Sequence, residues 1–518
     1  MKNQLKAGAV LSYVALFINS AISILYTPIM LHQLGQSEYG LYSLATSIMA
    51  YLGVLDFGLG SAVIRYTAKY KALNEQEKCS NLYGMFCVMY GVLGFIALIC
   101  GCILIFTSHH IFSNSITTSD IQALKIMMTI MVVNLSTSVG LGLFSVLILA
   151  HERFIVQKVI GIVSSVISPL IMLPLLFMGY GSISMVIVTT SLNLLTIFIN
   201  MYFCFRVLKI KIVLKKFDLS LFKEILLFSS LIFLNLLIDK IYWSTDQVIL
   251  GIYSGTIAVS IYTIGASFSG YFSAFSSAIS NVFLSKVTGM VTKEVPDREI
   301  SDLFIRIGRV QYIVISFALS GFIAFGQEFI NLWVGTSYSS SYLIALLILI
   351  PMIIPLIQGM GGIILQAKNM QKFKSFVYIA IALANVLLSI LFVQWWGAVG
   401  CALATAIAFT TGNIIIMNIY YWRRIKIDIP KFWRNILGMS VPLLSSLIFG
   451  ITLNKYIHAD NWIFFLFKIS IFSILYMALM WFVAMNKYEK NLFKDPTKNL
   501  INRFRKRKLV ESQKVEIL

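Results

Sequence analysis

Apolar stretches of about 20 residues recur fourteen times along the chain, separated by short polar segments. Each is long enough to cross about 30 Å of hydrocarbon as a helix. The predicted spans are 8–31, 39–64, 83–107, 122–149, 157–178, 183–204, 224–252, 256–285, 309–331, 341–365, 375–394, 398–421, 435–454 and 462–484. The first follows MKNQLK and superficially resembles a signal peptide. Its apolar run is longer than an h-region of about 7–15 residues and no small-residue cleavage site follows, so it reads as a membrane helix. The pattern predicts an all-α polytopic membrane protein.

One span breaks the pattern. Residues 235–246 read NLLIDKIYWSTD, while 225–234 before them and 247–264 after them carry no charge. A charge at the bilayer centre costs roughly 2.5–3.5 kcal/mol on insertion scales, so ionisable groups there usually face a polar interior. At about 100° per residue, Asn235, Tyr242, Asp246 and Asp239 fall within a sector of roughly 60°, with Lys240 pointing away from it. This helix is expected to form one wall of a water-filled cavity.

Composition supports the membrane assignment: 58% of residues are hydrophobic and 12% charged, with mean hydropathy +0.86, against about 25% charged in a soluble protein. The net charge of +20 is not scattered. With the N-terminus placed inside, the inner loops hold Arg65, Lys69, Lys71 and Lys78, then Arg153 and Lys158, then Arg206, Lys209, Lys211, Lys215 and Lys216, and similar sets further on. The outer loops hold Lys455, with Lys125 at a helix edge and Lys240 and Lys468 inside spans. This asymmetry predicts an even number of spans with both termini cytoplasmic. The charge is therefore an address on one membrane face where anionic lipids gather, and no nucleic-acid motif accompanies it. Trp333, Trp395, Trp396 and Trp462 fall at the outer boundary and Trp422, Trp433 and Trp481 at the inner one, as an aromatic belt requires.

An offset of 220 residues aligns the first two spans with the seventh and eighth. Gly35 meets Gly255, Tyr42 meets Tyr262, Tyr51 meets Tyr271, Asn19 meets Asp239 and Tyr26 meets Asp246. Two six-helix bundles of the same orientation would place these faces across a central cleft. The expected organisation is an N-terminal lobe over 1–205, a cytoplasmic linker over 206–222, a second lobe over 223–422, two further helices in 423–485 and a basic tail over 486–518. The six cysteines form no zinc or redox spacing and read as packing residues; the five histidines read as loop residues rather than metal ligands. Outer loops are short, which speaks against a membrane glycan polymerase or ligase.

The stretch LYTPIMLHQLGQSEYGLYSLATSIMAYLGVLDFGLGSAVIRY (25–66) resembles the N-terminal signature of Wzx-type polysaccharide flippases of the multidrug/oligosaccharidyl-lipid/polysaccharide exporter superfamily. Gly35, Glu38-Tyr39-Gly40, the run from Leu55 to Gly60, and Arg65 carry it. The segment DQVILGIYSGTIAVSIYTIG (246–265) is similar to the family's junction between the seventh and eighth helices. The resemblance implies two six-helix lobes that open alternately to either face of a bacterial cytoplasmic (inner) membrane. It also implies a polyprenyl-diphosphate-linked oligosaccharide as cargo, bound for a surface polysaccharide such as O-antigen or capsule, with membrane lipids, glycosyltransferases and a polymerase as partners. A multidrug or toxin cation antiporter and a lipid II flippase are the alternatives within the superfamily. None of these is an enzyme.

Such a cargo needs cations for its diphosphate and hydrogen-bonding groups for its sugars. Lys240 and Arg65 are the candidates for the diphosphate; their plainer roles are a salt bridge to an acidic neighbour and a solvated residue at the inner mouth. Asp239 and Asp246 either couple transport to a proton or sodium gradient or hold water and sugar hydroxyls. Asn19, Asn235 and Tyr26 complete the polar faces, and Tyr242 and Trp243 either stack on sugar rings or pack the helix. Asp56, with Gly58 and Gly60, is expected to pair with Arg65 or a neighbouring helix, or to serve a gate. Its glycines permit close helix contact or bending. No cofactor is expected.

Overall fold

The computed structural model describes residues 2–494 apart from 216, 460 and 493. The basic tail from 495 on, including RFRKRK at Arg503 to Lys508, lies outside the described residues. The first half of the chain contains α1 (Lys2–Leu52), α2 (Leu59–Ala72), α3 (Gln76–Phe112), α4 (Thr118–Gly140), α5 (Leu143–Ala150), α6 (Phe154–Phe177), α7 (Ser182–Tyr202), α8 (Leu219–Tyr253) and α9 (Gly255–Val282). The second contains α10 (Leu284–Thr292), α11 (Asp297–Val334), α12 (Ser340–Ile357), α13 (Gly359–Ala367), α14 (Gln371–Phe409), α15 (Met417–Arg423), α16 (Ile429–Leu437), α17 (Ser440–Tyr456) and α18 (Trp462–Leu479). No strand occurs among the described residues. The protein is an all-α, polytopic membrane protein.

Eleven helical stretches are long and apolar enough to cross a membrane. Two of them, Val14–Ala72 and Gln371–Arg423, each contain two predicted spans. The serine-rich α9 supplies the remaining one, so all fourteen predicted spans fall on helices. The doubled stretches are broken at glycines: Gly35 at φ 74° within α1 and Gly397 at φ 52° within α14. Only a residue without Cβ adopts such angles at no steric cost.

The backbone itself carries the internal repeat. Left-handed positions recur in pairs: Gly35 with Gly255, Asn74 with Glu294, Glu152 with Asn369, Gly179 with Gly397 and Lys209 with Lys426, at separations of 217 to 220 residues. The turns between helices are thus the same turns used twice. Phe57 and Gly58, also left-handed at φ 56° and 65°, have no counterpart. They interrupt the second predicted span after a 3-10 turn, Gly53–Asp56. Phe57 stacks on Phe233 of α8 at 4.4 Å, and a Cβ on Gly58 would sit 2.5 Å from Ile232 Cγ2. Close passage of α8 therefore requires a glycine here.

Two compact units are distinguishable. The first comprises Met1–Ala274, Trp333–Pro351 and Lys372–Gly412; the second comprises Phe275–Leu332, Met352–Gln371 and Asn413–Leu518. One core of the first unit gathers Leu59, Val63, Tyr66, Phe86, Tyr90, Leu147 and Ile225. In the second unit α11 carries a buried ion pair toward each end. The Arg309 guanidinium donates to both carboxylate oxygens of Glu489 at 2.6 and 3.0 Å and to the Ala484 carbonyl at 2.9 Å. Nineteen residues on, about 28 Å along a helix, Glu328 accepts from Lys468 Nζ at 2.7 Å. Lys468 also donates to Asn454 and to the Ile457 carbonyl, so all three of its protons are used. A fully buried lysine with every donor satisfied explains how α18 tolerates a charge in mid-span.

Candidate functional site

The charged stretch lies in the C-terminal half of α8, and its polar face changes character along the helix. Asn235 and Asp239 are exposed, Lys240 is half-buried, and Asp246 is buried at 1% exposure. Asn235 accepts from Ser375 Oγ of α14 at 2.9 Å. Lys240 makes no ion pair with Asp239 or Asp246. Tyr242 packs its ring on Trp243 at 5.0 Å and on Phe409 at 5.2 Å, and its hydroxyl is buried with no partner among the described residues.

Asp246 sits in a cage of oxygens. Tyr262 Oη and Thr405 Oγ1 donate to its Oδ2 at 2.6 and 2.7 Å, and Ser389 Oγ donates to its Oδ1 at 2.7 Å. The same Ser389 and Thr405 hydroxyls reach Asn385 Oδ1 at 3.4 and 3.2 Å. Each hydroxyl has one proton for two acceptors, while Asn385 Nδ2 is buried with no partner among the described residues. The Gly397 break makes this possible: it brings Asn385 and Ser389, before it on α14, together with Thr405, after it. A carboxylate ringed by neutral oxygens is the donor set of a hard cation or of a proton shared with the carboxylate. Ser389, Thr405, Asn385 and Tyr262 are site residues that sequence reasoning missed.

The N-terminal candidates are placed differently. Asn19 is exposed on α1, and Tyr26 Oη donates to Met172 Sδ at 3.2 Å. Arg65 is exposed on α2 with its guanidinium 4.8 Å from the Phe228 ring centre. No ion pair joins it to half-buried Asp56. Gly60 lies against Val146, where a Cβ would come to 3.3 Å.

The second arm of α1 meets α8 and α9 along its length. Ser37 and Thr256 share a hydrogen bond of 2.8 Å, Ser47 donates to Gln247 at 2.8 Å, and Tyr51 bonds Thr245. Gly40 lies so near Thr256 that a Cβ would fall 1.8 Å from its carbonyl oxygen. Ser115 reaches the Gly251 carbonyl at 2.6 Å.

Residues 5–284 match the family model described as polysaccharide biosynthesis protein. The chain belongs to the polysaccharide biosynthesis protein family. Among solved structures it is similar to the lipid II flippase MurJ in an inward closed conformation, at 17% identity and TM-score 0.72, covering 95% of this chain and 100% of that one. It is also similar to an inward-facing multidrug resistance MATE transporter of the MOP superfamily, at 14% identity and TM-score 0.64, covering 82% and 99%. At these identities the likeness is one of fold. No curated protein matches the chain. The resemblance carried by 25–66 is thus supported by family and by fold.

Proposed function

We propose that the protein flips a polyprenyl-diphosphate-linked oligosaccharide from the inner to the outer leaflet of a bacterial cytoplasmic membrane by alternating access between two six-helix lobes, over 1–205 and 223–422. The family match over 5–284 carries this reading. Exposed Asn19, Asn235 and Asp239 on otherwise apolar helices add to it, because polar groups at that depth are stable only beside water. Lys240 and Arg65 supply charge for the diphosphate, and the sugars take hydrogen bonds from the exposed amides and carboxylate. Asp246 and its hydroxyl ring bind the driving proton or sodium ion. Glycosyltransferases that build the repeat unit and a polymerase that consumes it act on either side.

A reconstituted assay tests this reading: vesicles holding the protein and a fluorescent lipid-diphosphate oligosaccharide are quenched from outside. Transfer above protein-free vesicles supports it; transfer absent under every imposed ion gradient overturns it. The MurJ-like fold, matched over the whole of that chain, favours lipid II as the second cargo to try. Rescue of growth when an endogenous lipid II flippase is depleted would select that cargo instead.

A further inference from the structure

A polar cavity of about 460 Å³ opens in the first unit, among basic residues of its turns. That volume is within the range of small-ligand sites, about 300–1,000 Å³. Three separate parts of the chain build it: the turn from α2 to α3, the turn after α5 at His151, and residues 208–211 of the segment that follows α7. Its lining holds Lys71, Lys209 and Lys211 and no carboxylate.

Glu152, next to His151, acts electrostatically on Lys71 without an ion pair within 4.0 Å, and the other nearby acids are engaged elsewhere. Glu75 pairs with Lys78 at 2.8 Å, Glu77 pairs with Lys215 at 2.9 Å, and Asp218 accepts from the Ser220 and Leu221 amides at the start of α8. Among the described residues none of the three lining lysines has an ion-pair partner within 4.0 Å. Like charges gathered around one cavity repel each other until an anion enters.

The segment after α7 is fastened in place rather than free. Val213 donates its amide to the Ser80 carbonyl at 3.2 Å, and Lys215 donates its amide to Asn81 Oδ1 at 2.9 Å. A Cβ on Gly84 would lie 2.7 Å from the Val213 carbonyl oxygen, so this contact depends on a glycine. Lys209 holds a left-handed backbone at φ 50°, the kind of sparsely populated conformation that persists where its surroundings fix it.

We propose that this cavity is a binding site for a phosphate-bearing anion, which Lys71, Lys209 and Lys211 hold between the α2–α3 turn and the segment joining α7 to α8. Phosphate suits the site better than a single carboxylate. Three ammonium groups call for more than one negative charge, and Lys binds phosphate as a point charge without the geometric demands of Arg. Asn74 and Tyr70 at the rim add neutral hydrogen-bonding groups. The phosphate is either the headgroup of an anionic phospholipid, concentrated beside basic loops, or a free diphosphate. Bound there, it clamps the linker between the two sequence repeats.

The test uses the full-length protein in nanodiscs of neutral lipid and follows amide hydrogen exchange over 208–215. One arm adds inorganic pyrophosphate; the other replaces a fraction of the neutral lipid with phosphatidylglycerol. Slower exchange in the first arm assigns a free phosphate compound, and in the second a lipid headgroup. The triple variant Lys71→Gln, Lys209→Gln, Lys211→Gln is expected to lose the effect, with half-saturation weakened by about tenfold or more. A control, Lys286→Gln, Lys293→Gln, Lys372→Gln, removes the same charge from other basic loops and is expected to keep it. Should the triple variant misfold, seen as faster exchange around Tyr66 and Tyr90, Lys71→Gln alone replaces it. No slowing in either arm, or equal loss in both triple variants, overturns the proposal.

Discussion

Tyr26 and Asp246 stand 220 positions apart, and each turns its terminal oxygen onto a residue of a partner helix that is itself 217 positions from its counterpart: Tyr26 onto Met172, Asp246 onto Ser389. One turn earlier on each partner helix the positions correspond too: Ser168 donates to Met172, and Ser389 donates to Asn385. One contact has therefore been built twice with different chemistry. The N-terminal copy is a neutral phenol on a thioether; the C-terminal copy is a carboxylate among hydroxyls. Of the two copies, only the second places an ionisable carboxylate at this contact.

From that asymmetry, Asp246→Asn is expected to fold, because the amide retains an acceptor and the hydroxyls around it rotate. It should lose the dependence of transport on an imposed ion gradient. Tyr26→Phe should leave that dependence intact. Reconstituted transport with and without a gradient separates the two; a gradient response retained by Asp246→Asn removes the site from coupling.

Lys240 lies within electrostatic reach of Asp239 but forms no ion pair within 4.0 Å among the described residues, which leaves it open to the diphosphate role proposed above. Lys240→Ala is expected to lower surface polysaccharide in a strain carrying only that variant, at unchanged protein level. Export equal to wild type would take Lys240 out of the mechanism.

If the proposed alternating access is correct, the seam held by the Ser37–Thr256 hydrogen bond is expected to part during transport. A Ser37→Cys, Thr256→Cys pair is expected to cross-link with a short bifunctional reagent and to stop transport until the link is reversed. Gly40→Leu places its side chain where the Thr256 carbonyl lies, so the closed seam should be lost and transport with it. Cross-linked protein that transports at the normal rate would show that the seam is static.

Breaking the Lys468–Glu328 pair leaves a buried charge alone, which costs about 3–5 kcal/mol. Lys468→Met should accordingly lower the thermal midpoint of the detergent-solubilised protein sharply. The double variant Lys468→Met, Glu328→Leu should recover most of the loss, since apolar replacement of a whole buried pair is often neutral or stabilising.

His151 Nδ1 donates to the Leu147 carbonyl at 2.8 Å, with the ring half-buried beside that of Tyr83. Burial holds its imidazole below the ordinary value, an effect the Leu147 carbonyl opposes and the Lys71 and Arg153 cations reinforce. The unfolded chain therefore takes up this proton first as pH falls through about 6.5, and its contribution to stability declines below that pH. His151→Gln should flatten the stability profile between about pH 7 and 5, measured by thermal unfolding.

Helix number and the repeat were legible because hydrocarbon thickness fixes span length and because glycines mark turns that no other residue makes cheaply. The roles of single charges were less so. Lys468 read as an anomaly in a span, since its partner Glu328 lies 140 positions away and no periodicity links them. Asp246 and Asp239 fell on one predicted sector, yet one is buried and the other exposed. A helical wheel reports angle but not how far each turn sits from neighbouring helices. Asp56 and Arg65 form no ion pair; nine positions apart with a left-handed step at Phe57 and Gly58 between them, they share no helical face, and the alternatives of a neighbouring helix or a gate stand as expected.

The two ion pairs on α11 also bear on how the chain can be cut. Removing everything after residue 422 would discard Lys468 and Glu489 together and strand Arg309 and Glu328, charges of opposite sign, about 28 Å apart in an apolar surround. Neither could find the other. The final pair of helices thus looks optional from the repeat, but the electrostatics of its host make it compulsory: a truncated protein would have to be rewritten at both anchor points before it could live in a bilayer.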